Sequence, residues 1–508
     1  MKIFLKYREF LLLALPGAIL GIIIIWAMQR WGVGITTDTL FYISVARSLE
    51  AGKGLLTITN AGTFEPLTHF PPLMSILLWL LSDNHLFSFQ ILAFISFFVL
   101  VIGLGAYVLF RTKSLTLMVI AQGLLLFSRD LLTVHSMGWS EPLFIVLFIV
   151  GAVLLAEYLR TQRISFVVFT AILWGISIVI RYSGLFLIPI LFIVLLVSKK
   201  QQGNTWKESV LRTMPFAGIV GLPFLSWVAY LWLFVKDSSI REFHVYFMDI
   251  HRVIEGYMTF LQWFLPFSLP DSVAVLATLV GVLGTLVAII MSFTYRAQII
   301  SFARKHQDIS LWVGLCLAYI LFIVATITFF DPITPMDFRI FSPLFPLAVL
   351  IVIQLLHTFK KYQWVGFILV VSVIINGMQL ISYQFTNGTF LAGPEWQNSE
   401  TIAAVKDLPK DAKVFSNALT AIYVLGEREN SALPFKVTSL KTRNSRFPSE
   451  MEHLQKTYEN QETYIVVFKP ARSISTQHPT EKEIASMLSV STVKVLRDGI
   501  IFKLEKQE

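Results

Sequence analysis

The chain has 508 residues, of which 55% are hydrophobic and only 14% carry a charge. Soluble globular domains have roughly a quarter of their residues charged, so the composition excludes that class. The formal charge of +9 would suggest nucleic-acid binding if it were concentrated in one domain. Most of the excess lies in short loops, where it indicates membrane topology instead. The single cysteine, Cys316, excludes an intrachain disulfide.

Long apolar runs recur along the chain, and a helix needs roughly 20 apolar residues to cross a bilayer. Eleven runs meet or approach this length: Phe10–Met28, Leu86–Phe110, Leu115–Ser128, Pro142–Leu159, Ile164–Ile180, Leu185–Ser198, Met214–Val235, Val273–Phe293, Ile309–Phe330, Ile340–Leu356 and Trp364–Tyr383. A shorter run, Pro71–Leu81, follows a double proline and predicts an interfacial helix. The fold class predicted is a polytopic α-helical membrane protein with about eleven transmembrane helices.

The charges of the loops predict the orientation. If the N-terminus is cytoplasmic, the inner loops hold sixteen basic residues and four acidic ones (Glu9, Glu157, Glu208 and Asp308). The outer loops before the tail hold nine basic and thirteen acidic residues. Positive-inside bias therefore predicts a cytoplasmic N-terminus, a retained first span and an extracytoplasmic C-terminus. The localisation predicted is a multi-pass protein of a bacterial cytoplasmic membrane.

The C-terminal tail is polar. Residues 394–508 contain strand-like runs at Lys413–Ser416, Thr463–Phe468 and Thr492–Glu505, the last interrupted by an Asp498-Gly499 turn. Helical patterns lie near Ser399–Leu408 and Ser449–Tyr458. We therefore expect two domains: a transmembrane catalytic domain over residues 1–393, whose first outer loop covers residues 30–84, and a small extracytoplasmic α/β domain over residues 394–508.

Asp38 is the most informative residue of the first outer loop. Apolar residues at positions 41, 45, 46 and 49 make a helical stripe that begins just after Asp38, and Gly52 marks its end. A carboxylate at a helix start can be an N-cap that accepts orphan amide hydrogens. It can also be a base that takes a proton from a substrate. Both alternatives stay open at this point.

Five motifs, in this order, carry a resemblance to a known family. They are Asp38…Tyr42…Ala46…Leu49…Gly52…Gly54; His69-Phe70-Pro71-Pro72-Leu73; Arg181-Tyr182-Ser183-Gly184; Asp337-Phe338-Arg339-Ile340-Phe341-Ser342-Pro343-Leu344-Phe345-Pro346; and Ser416-Asn417…Ile422-Tyr423…Gly426-Glu427-Arg428…Leu433-Pro434. The chain resembles the GT-C membrane glycosyltransferases, and among them the bacterial relatives of protein O-mannosyltransferases and aminoarabinose transferases. Thr39 stands where those two enzymes usually have a second acid, which argues against either of their named activities.

The resemblance implies transfer of a sugar from a polyprenyl-phosphate carrier to a glycan, lipid or protein acceptor outside the membrane. It makes Asp38 the candidate general base, with Glu141 as a second catalytic candidate that binds sugar hydroxyls or assists Asp38. The alternative for Glu141 is an acid at a helix start that is favoured by the helix dipole, with Pro142 in the first turn. Arg339 and Arg181 are the candidates for the donor phosphate, because a guanidinium matches phosphate oxygens with a fork of donors. The alternative for each arginine is an interfacial side chain that snorkels.

The remaining candidates for substrate contacts are Tyr182, His69, Tyr42, Arg129 and Asp130. For His69 the choice is between the phosphate, a divalent metal ion and a plain polar loop residue. Arg129 and Asp130 form a structural ion pair in the alternative interpretation. The sequence fixes no metal site and no cofactor, although a divalent metal ion stays open.

Two other functions compete with the enzyme. A transporter or flippase for a glycolipid would have a similar number of spans. Such proteins concentrate charge near the bilayer midplane, whereas the candidate residues of this chain stand at outer span ends. A glycan polymerase or ligase would use a related geometry with pyrophosphate-linked donors. No Gly-rich phosphate loop with Lys-Ser/Thr and no His-Glu-x-x-His motif is present in the sequence, so a nucleotide-driven pump and a zinc protease have no support. Nucleic acid is not an expected partner.

Overall fold

The computed structural model describes residues 2–235, 243–246, 249–265, 271–298, 301, 306–332, 334–437, 442–469 and 477–506. The chain forms two compact units. The helical unit comprises Met1–Met28, Thr68–Met74 and Gln90–Gln384, and the sheet unit comprises Gln29–Leu67, Ser75–Phe89 and Phe385–Glu508. Most of the first outer loop therefore belongs to the same unit as the tail. The predicted domain division at residue 394 stays a prediction.

The elements follow one another as helices interrupted by two groups of strands. In chain order they are α1 (Lys2–Met28), α2 (Thr37–Glu50), β1 (Leu56–Ile58), β2 (Phe64–Pro66), α3 (Leu73–Leu81), α4 (His85–Thr112), α5 (Leu115–Phe127), α6 (Arg129–Ser136), α7 (Glu141–Thr161), α8 (Ile164–Ile178), α9 (Leu187–Gln201), α10 (Trp206–Tyr230), α11 (Ile250–Gln262), α12 (Asp271–Thr294), α13 (Gln307–Phe329), α14 (Phe338–Phe341), α15 (Phe345–Thr358), α16 (Gln363–Asn387), α17 (Pro394–Gln397), α18 (Glu400–Lys406), β3 (Lys413–Ser416), α19 (Leu419–Val424), β4 (Ser431–Ala432), α20 (Phe447–Tyr458), β5 (Thr463–Phe468), α21 (Glu481–Met487), β6 (Val490–Val495) and β7 (Gly499–Leu504).

The predicted spans are helical. Within the described residues, nine helices are long and apolar enough to cross a membrane, and α5 with α6 makes a tenth if that bent pair is one span. The one remaining predicted run, Ile164–Ile180, forms α8, an apolar helix of 15 residues. The protein is therefore a multi-pass membrane protein, as predicted. The interfacial run after the double proline becomes the nine-residue helix α3.

One predicted span continues beyond its expected end. The chain bends by 52° between α5 and α6, at Ser128, which has an extended backbone conformation. The Ser128 hydroxyl accepts a hydrogen bond from the Leu131 amide at 3.4 Å and so caps α6. The sequence run ended at Ser128, and α6 was not predicted because polar residues begin it.

Two polar side chains inside the helical unit find partners on other helices, where hydrocarbon would offer none. The Gln122 amide of α5 donates to the Ala14 carbonyl of α1 at 2.8 Å. The Trp174 indole of α8 donates to the Phe148 carbonyl of α7 at 3.0 Å. The first bond joins helices that are distant in sequence, and the second joins two consecutive helices.

The sheet unit contains a five-stranded sheet of order β4-β3-β5-β7-β6. Strand β3 pairs in parallel with β4 and β5, and β7 pairs antiparallel with β5 and β6. The central strand β5 is buried on both faces: Tyr464, Val466 and Phe468 enter one apolar cluster, and Ile465 and Val467 enter the other. The predicted α/β character of the tail is confirmed.

The sheet unit also holds a hairpin that the sequence did not predict. Strands β1 and β2 pair antiparallel with Leu56 opposite Pro66. Each strand has only three residues, too few for a period of two to be recognised.

Candidate active site

A carboxylate stands at the start of span α7 in the helical unit. Glu141 is the first residue of the helix and Pro142 follows it, which suits a helix start because proline needs no amide partner there. The Glu141 side chain is only 1% exposed. A carboxylate this deeply buried requires compensation by opposite charge.

Two arginines from distant parts of the chain supply that compensation. Arg181 Nη1 lies 2.8 Å from Glu141 Oε1, and Arg339 Nε donates a hydrogen bond to the same oxygen. The two arginine side chains are 17% and 21% exposed. We call Glu141, Arg181 and Arg339 the arginine cluster. Its formal charge is +1, so it attracts an anion.

Local structure holds each arginine in place. Arg181 has an extended backbone and precedes a 3₁₀ turn over Tyr182–Phe186. Its Nη1 also donates to the Ser140 hydroxyl at 3.1 Å. Arg339 lies in the short helix α14, with its guanidinium carbon 4.2 Å from the centroid of the Trp139 ring. A cation over an indole face is held by the ring quadrupole.

Asp337 positions Arg339 through the backbone. It is the N-cap of α14, where its Oδ1 accepts from the amides of Arg339 and Ile340 at 3.0 and 3.2 Å. Burial raises the pKa of the Asp337 carboxyl, although these two hydrogen bonds favour its charged form. The motif that the sequence singled out for its arginine thus contains its own helix cap.

Tyr182 joins the turn after Arg181 to the segment that contains His69. Its hydroxyl donates to the Thr68 carbonyl at 3.3 Å and accepts from the Trp227 indole at 2.8 Å. The Leu73 amide also donates to the Val179 carbonyl at 3.1 Å. His69 itself is exposed and its ring meets that of Phe70 edge to face at 5.7 Å.

Arg129 and Asp130 open helix α6. Arg129 is exposed, whereas Asp130 Oδ2 accepts a hydrogen bond from the Trp263 indole at 2.8 Å. Asp130 therefore joins α6 to the end of α11. A role for either residue in binding substrate stays a prediction.

Asp38 and Tyr42 belong to the sheet unit. The N-cap of α2 is Thr36, whose amide donates to the Thr39 hydroxyl at 3.0 Å. Asp38 is half-buried in the first turn of the helix, so the interpretation of Asp38 as the N-cap is wrong. Tyr42 is 1% exposed, and its ring lies 6.3 Å from that of Phe89.

The described part of the chain contains no group of three or more His, Cys, Asp or Glu side chains that could hold a metal ion. His69 therefore has no ligand set around it among those residues.

Four residues that support these candidates were not predicted from the sequence. Trp139 stands two residues before Glu141, and Asp337 opens the motif that contains Arg339, so proximity in sequence was the available signal. Trp227 and Trp263 lie in apolar or loop segments far along the chain. Nothing in one sequence marks them.

Comparison with known proteins identifies the fold of this chain. No family model matches the chain, and no curated protein matches it. Among solved structures it is similar to ArnT from Cupriavidus metallidurans bound to undecaprenyl phosphate, with a TM-score of 0.51 and 12% identity over 96% of this chain and 97% of that chain.

Two further similarities were found. The apo state of the same ArnT gives a TM-score of 0.49 at 13% identity, over 95% of this chain and 96% of that chain. The archaeal oligosaccharyltransferase AglB from Archaeoglobus fulgidus, in complex with an inhibitory peptide and a dolichol-phosphate, gives 0.48 at 13% identity, over 92% and 70%. On the first similarity, which spans nearly the whole of both chains, this protein has the fold of that ArnT structure, and its motifs resemble those of the GT-C membrane glycosyltransferases.

Proposed function

We propose that this protein is a membrane glycosyltransferase that transfers a sugar from a polyprenyl-phosphate carrier to an acceptor outside the cytoplasmic membrane. The observation that carries the proposal is the arginine cluster, in which two guanidiniums meet on one buried carboxylate oxygen. The fold supports it, because the similar ArnT structure is bound to undecaprenyl phosphate.

The cluster suits a phosphate for electrostatic reasons. Glu141 neutralises one of the two positive charges, so a net cation faces the ligand while the guanidiniums stay fixed in direction. Arginine presents planar N–H donors that match phosphate oxygens, and the charge-assisted bonds that result are about twice as strong as neutral ones. In this arrangement Glu141 is a positioning residue that orients the arginines.

The reaction needs a base and a stabilised leaving group. In the proposed step Asp38 takes the proton of the acceptor hydroxyl while its oxygen forms a bond to the anomeric carbon of the donor sugar. The bond between that carbon and the phosphate oxygen breaks, and its electron pair leaves with the polyprenyl phosphate. Arg181 and Arg339 stabilise the added charge on that phosphate. A single displacement of this kind inverts the anomeric configuration.

The position of the cluster weighs against transport. Its residues stand at the first residue of α7, directly before a 3₁₀ turn and in the short helix before α15. Transporters place their binding sites near the bilayer midplane on discontinuous helices. A polymerase or ligase differs in its donor, which is a pyrophosphate.

The proposal is tested by binding of undecaprenyl phosphate to the full-length protein in nanodiscs. We expect Arg339→Ala to weaken binding about tenfold or more, because a hydrogen bond to a charged group contributes about 1.5–3 kcal/mol. Arg339→Lys should bind undecaprenyl phosphate with an affinity between those of the wild type and Arg339→Ala, since lysine keeps the charge and loses the fork of donors. The matched control is Arg160→Ala, which removes the arginine paired with Glu157 at the other end of α7.

Equal affinity in the wild type and Arg339→Ala would contradict the proposed role of the cluster. Tighter binding of undecaprenyl pyrophosphate than of undecaprenyl phosphate would favour the polymerase or ligase.

A further inference from the structure

The sheet unit contains a pocket of about 450 Å³ that the proposed function does not use. It lies at the C-terminal end of α2, and we call it the α2 pocket. Its other walls come from strand β2, from the residues before α4 and from the segment after α19. The volume falls in the range of small-molecule sites, roughly 300–1,000 Å³.

The walls of the α2 pocket are tied together. The tip of the β1–β2 hairpin is fixed to strand β4 by two hydrogen bonds: the Ala432 amide donates to the Asn60 carbonyl at 2.7 Å, and the Ser431 hydroxyl donates to the Ala61 carbonyl at 2.8 Å. Arg47 of α2 donates to the Tyr423 carbonyl of α19 at 2.8 Å. The pocket is therefore a built cavity whose lining segments hold one another.

The lining combines aromatic rings with polar groups. The Arg47 guanidinium carbon lies 4.8 Å from the centroid of the Tyr423 ring, and Lys53 Nζ lies 5.9 Å from that of Phe64. Ser48 also lines the pocket, and its hydroxyl is buried.

The charges of the lining decide which ligands fit. Four carboxylates face two cations there: Glu50, Asp83, Glu427 and Glu429 against Arg47 and Lys53. The excess of negative charge repels phosphate and carboxylate ligands. The described residues include no set that could hold a metal ion. What suits the pocket is a neutral ligand with many hydroxyl groups, which can donate to the carboxylates, accept from the cations and pack on a ring.

We propose that the α2 pocket binds a neutral saccharide unit of the acceptor, and that it discriminates against acceptors that carry an anionic sugar at this position. The assignment of the saccharide to the acceptor rests on the proposed function. Asp38 and Arg47 are nine residues apart on the same helix, roughly 14 Å along its axis. The pocket would then hold a part of the acceptor remote from the hydroxyl that reacts.

The test measures saccharide binding directly, by saturation-transfer NMR and titration with the full-length protein in nanodiscs. The neutral probes are methyl α-glucoside, methyl α-mannoside, N-acetylglucosamine and lactose, and the anionic probes are glucuronate and glucose 6-phosphate. We expect at least one neutral probe to bind and both anionic probes to bind at least tenfold more weakly.

Two variants of the same carboxylates separate hydrogen bonding from charge. Glu427→Ala/Glu429→Ala should weaken the neutral probe about tenfold or more, because hydrogen bonds to charged acceptors are lost. Glu427→Gln/Glu429→Gln keeps acceptors and removes charge, so binding of glucuronate should strengthen. The matched control, Asp411→Ala/Glu452→Ala, removes two exposed carboxylates that do not line the pocket and should bind as the wild type does.

Absence of binding by every neutral probe, or wild-type affinity in the alanine variant, would overturn the proposal. Equal binding of glucuronate and the neutral probes by the wild type would overturn the claimed discrimination. Titration of the same wild-type preparation with undecaprenyl phosphate keeps the two proposals apart. Saccharide binding without lipid-phosphate binding would contradict the proposed function alone, and the reverse result would remove the pocket alone.

Discussion

The two glutamates of helix α7, Glu141 and Glu157, differ in how exposed their arginine partners are. Glu141 pairs with two arginines that are 17% and 21% exposed, whereas the partner of Glu157, Arg160, is 42% exposed. Removing one member of a buried ion pair leaves the rest uncompensated, but an exposed partner returns to water.

This difference predicts unequal stability losses. Glu141→Gln should lower the free energy of unfolding by about 3 kcal/mol, whereas Glu157→Gln should lower it by about 1 kcal/mol or less. Thermal unfolding of both variants in the same detergent measures the difference. Equal shifts of Tm in the two variants would show that Glu141 stabilises the fold no more than Glu157 does.

Asp38 is not the N-cap of α2, so the capping of that helix does not complicate a test of Asp38 as the base. Because Thr36 is the N-cap of α2, Asp38→Asn should leave the capping of that helix intact. If Asp38 is the base, the same variant should lose about 10²–10⁴-fold in turnover. Sugar transfer and Tm are measured on the same preparation. Activity within a few-fold of the wild type would remove Asp38 as the base.

Sequence alone identifies the members of the arginine cluster but not their arrangement. Arg181 and Arg339 are predicted as phosphate ligands because they stand at outer span ends. The sharing of Glu141 depends on contacts across 40 and 198 residues, and one sequence carries no record of such pairs. The prediction that Glu141 binds sugar hydroxyls or assists Asp38 stays a prediction; its pairing with two arginines was not predicted.

The β1–β2 hairpin requires Gly62 at its tip. Its φ is +72°, and a β-carbon added there would lie 2.4 Å from the Ser431 hydroxyl and 2.8 Å from the Asn430 carbonyl oxygen. Gly52 has a similar φ of +68° but open space around it. The two glycines therefore separate backbone strain from steric exclusion.

We expect Gly52→Ala to destabilise its turn by about 1 kcal/mol through the backbone alone. Gly62→Ala should destabilise the hairpin by about 2–4 kcal/mol, because overpacking adds to the backbone term. Hydrogen–deuterium exchange of the amides over residues 56–66 reports on local opening of the hairpin. Unchanged exchange in Gly62→Ala would show that the hairpin is not held by strand β4.

Long elements are predictable, whereas the shortest strands are not. The spans follow from apolar length, because hydrocarbon admits helices with few alternatives. Strand β5 is predicted from its apolar and β-branched run with the bounds that the structure gives, Thr463–Phe468. The strands β1 and β4 have three and two residues, and contacts with other segments decide them rather than their own sequence.

At the scale of the whole molecule, the charge asymmetry of the loops predicts an extracytoplasmic tail. A cysteine at Ser445, an exposed turn position of the tail, should react with an impermeant thiol reagent in intact cells once Cys316 is replaced by alanine. A cysteine at Gln201, exposed at the end of α9, should react only after lysis. The opposite pattern would reverse the orientation. Ser399 is unsuitable for this purpose, because it is 5% exposed and caps α18.

The central claim, that the protein transfers sugar from a lipid-phosphate carrier, is tested most directly by mass spectrometry of carrier-linked sugars and envelope glycans in cells with and without it. We predict that cells lacking the protein accumulate a polyprenyl-phosphate sugar and lose one glycan modification. The wild-type gene should restore both, and the Arg339→Ala variant, expressed at the same level, should restore neither. An unchanged carrier pool and unchanged glycans in the cells without the protein would contradict the claim.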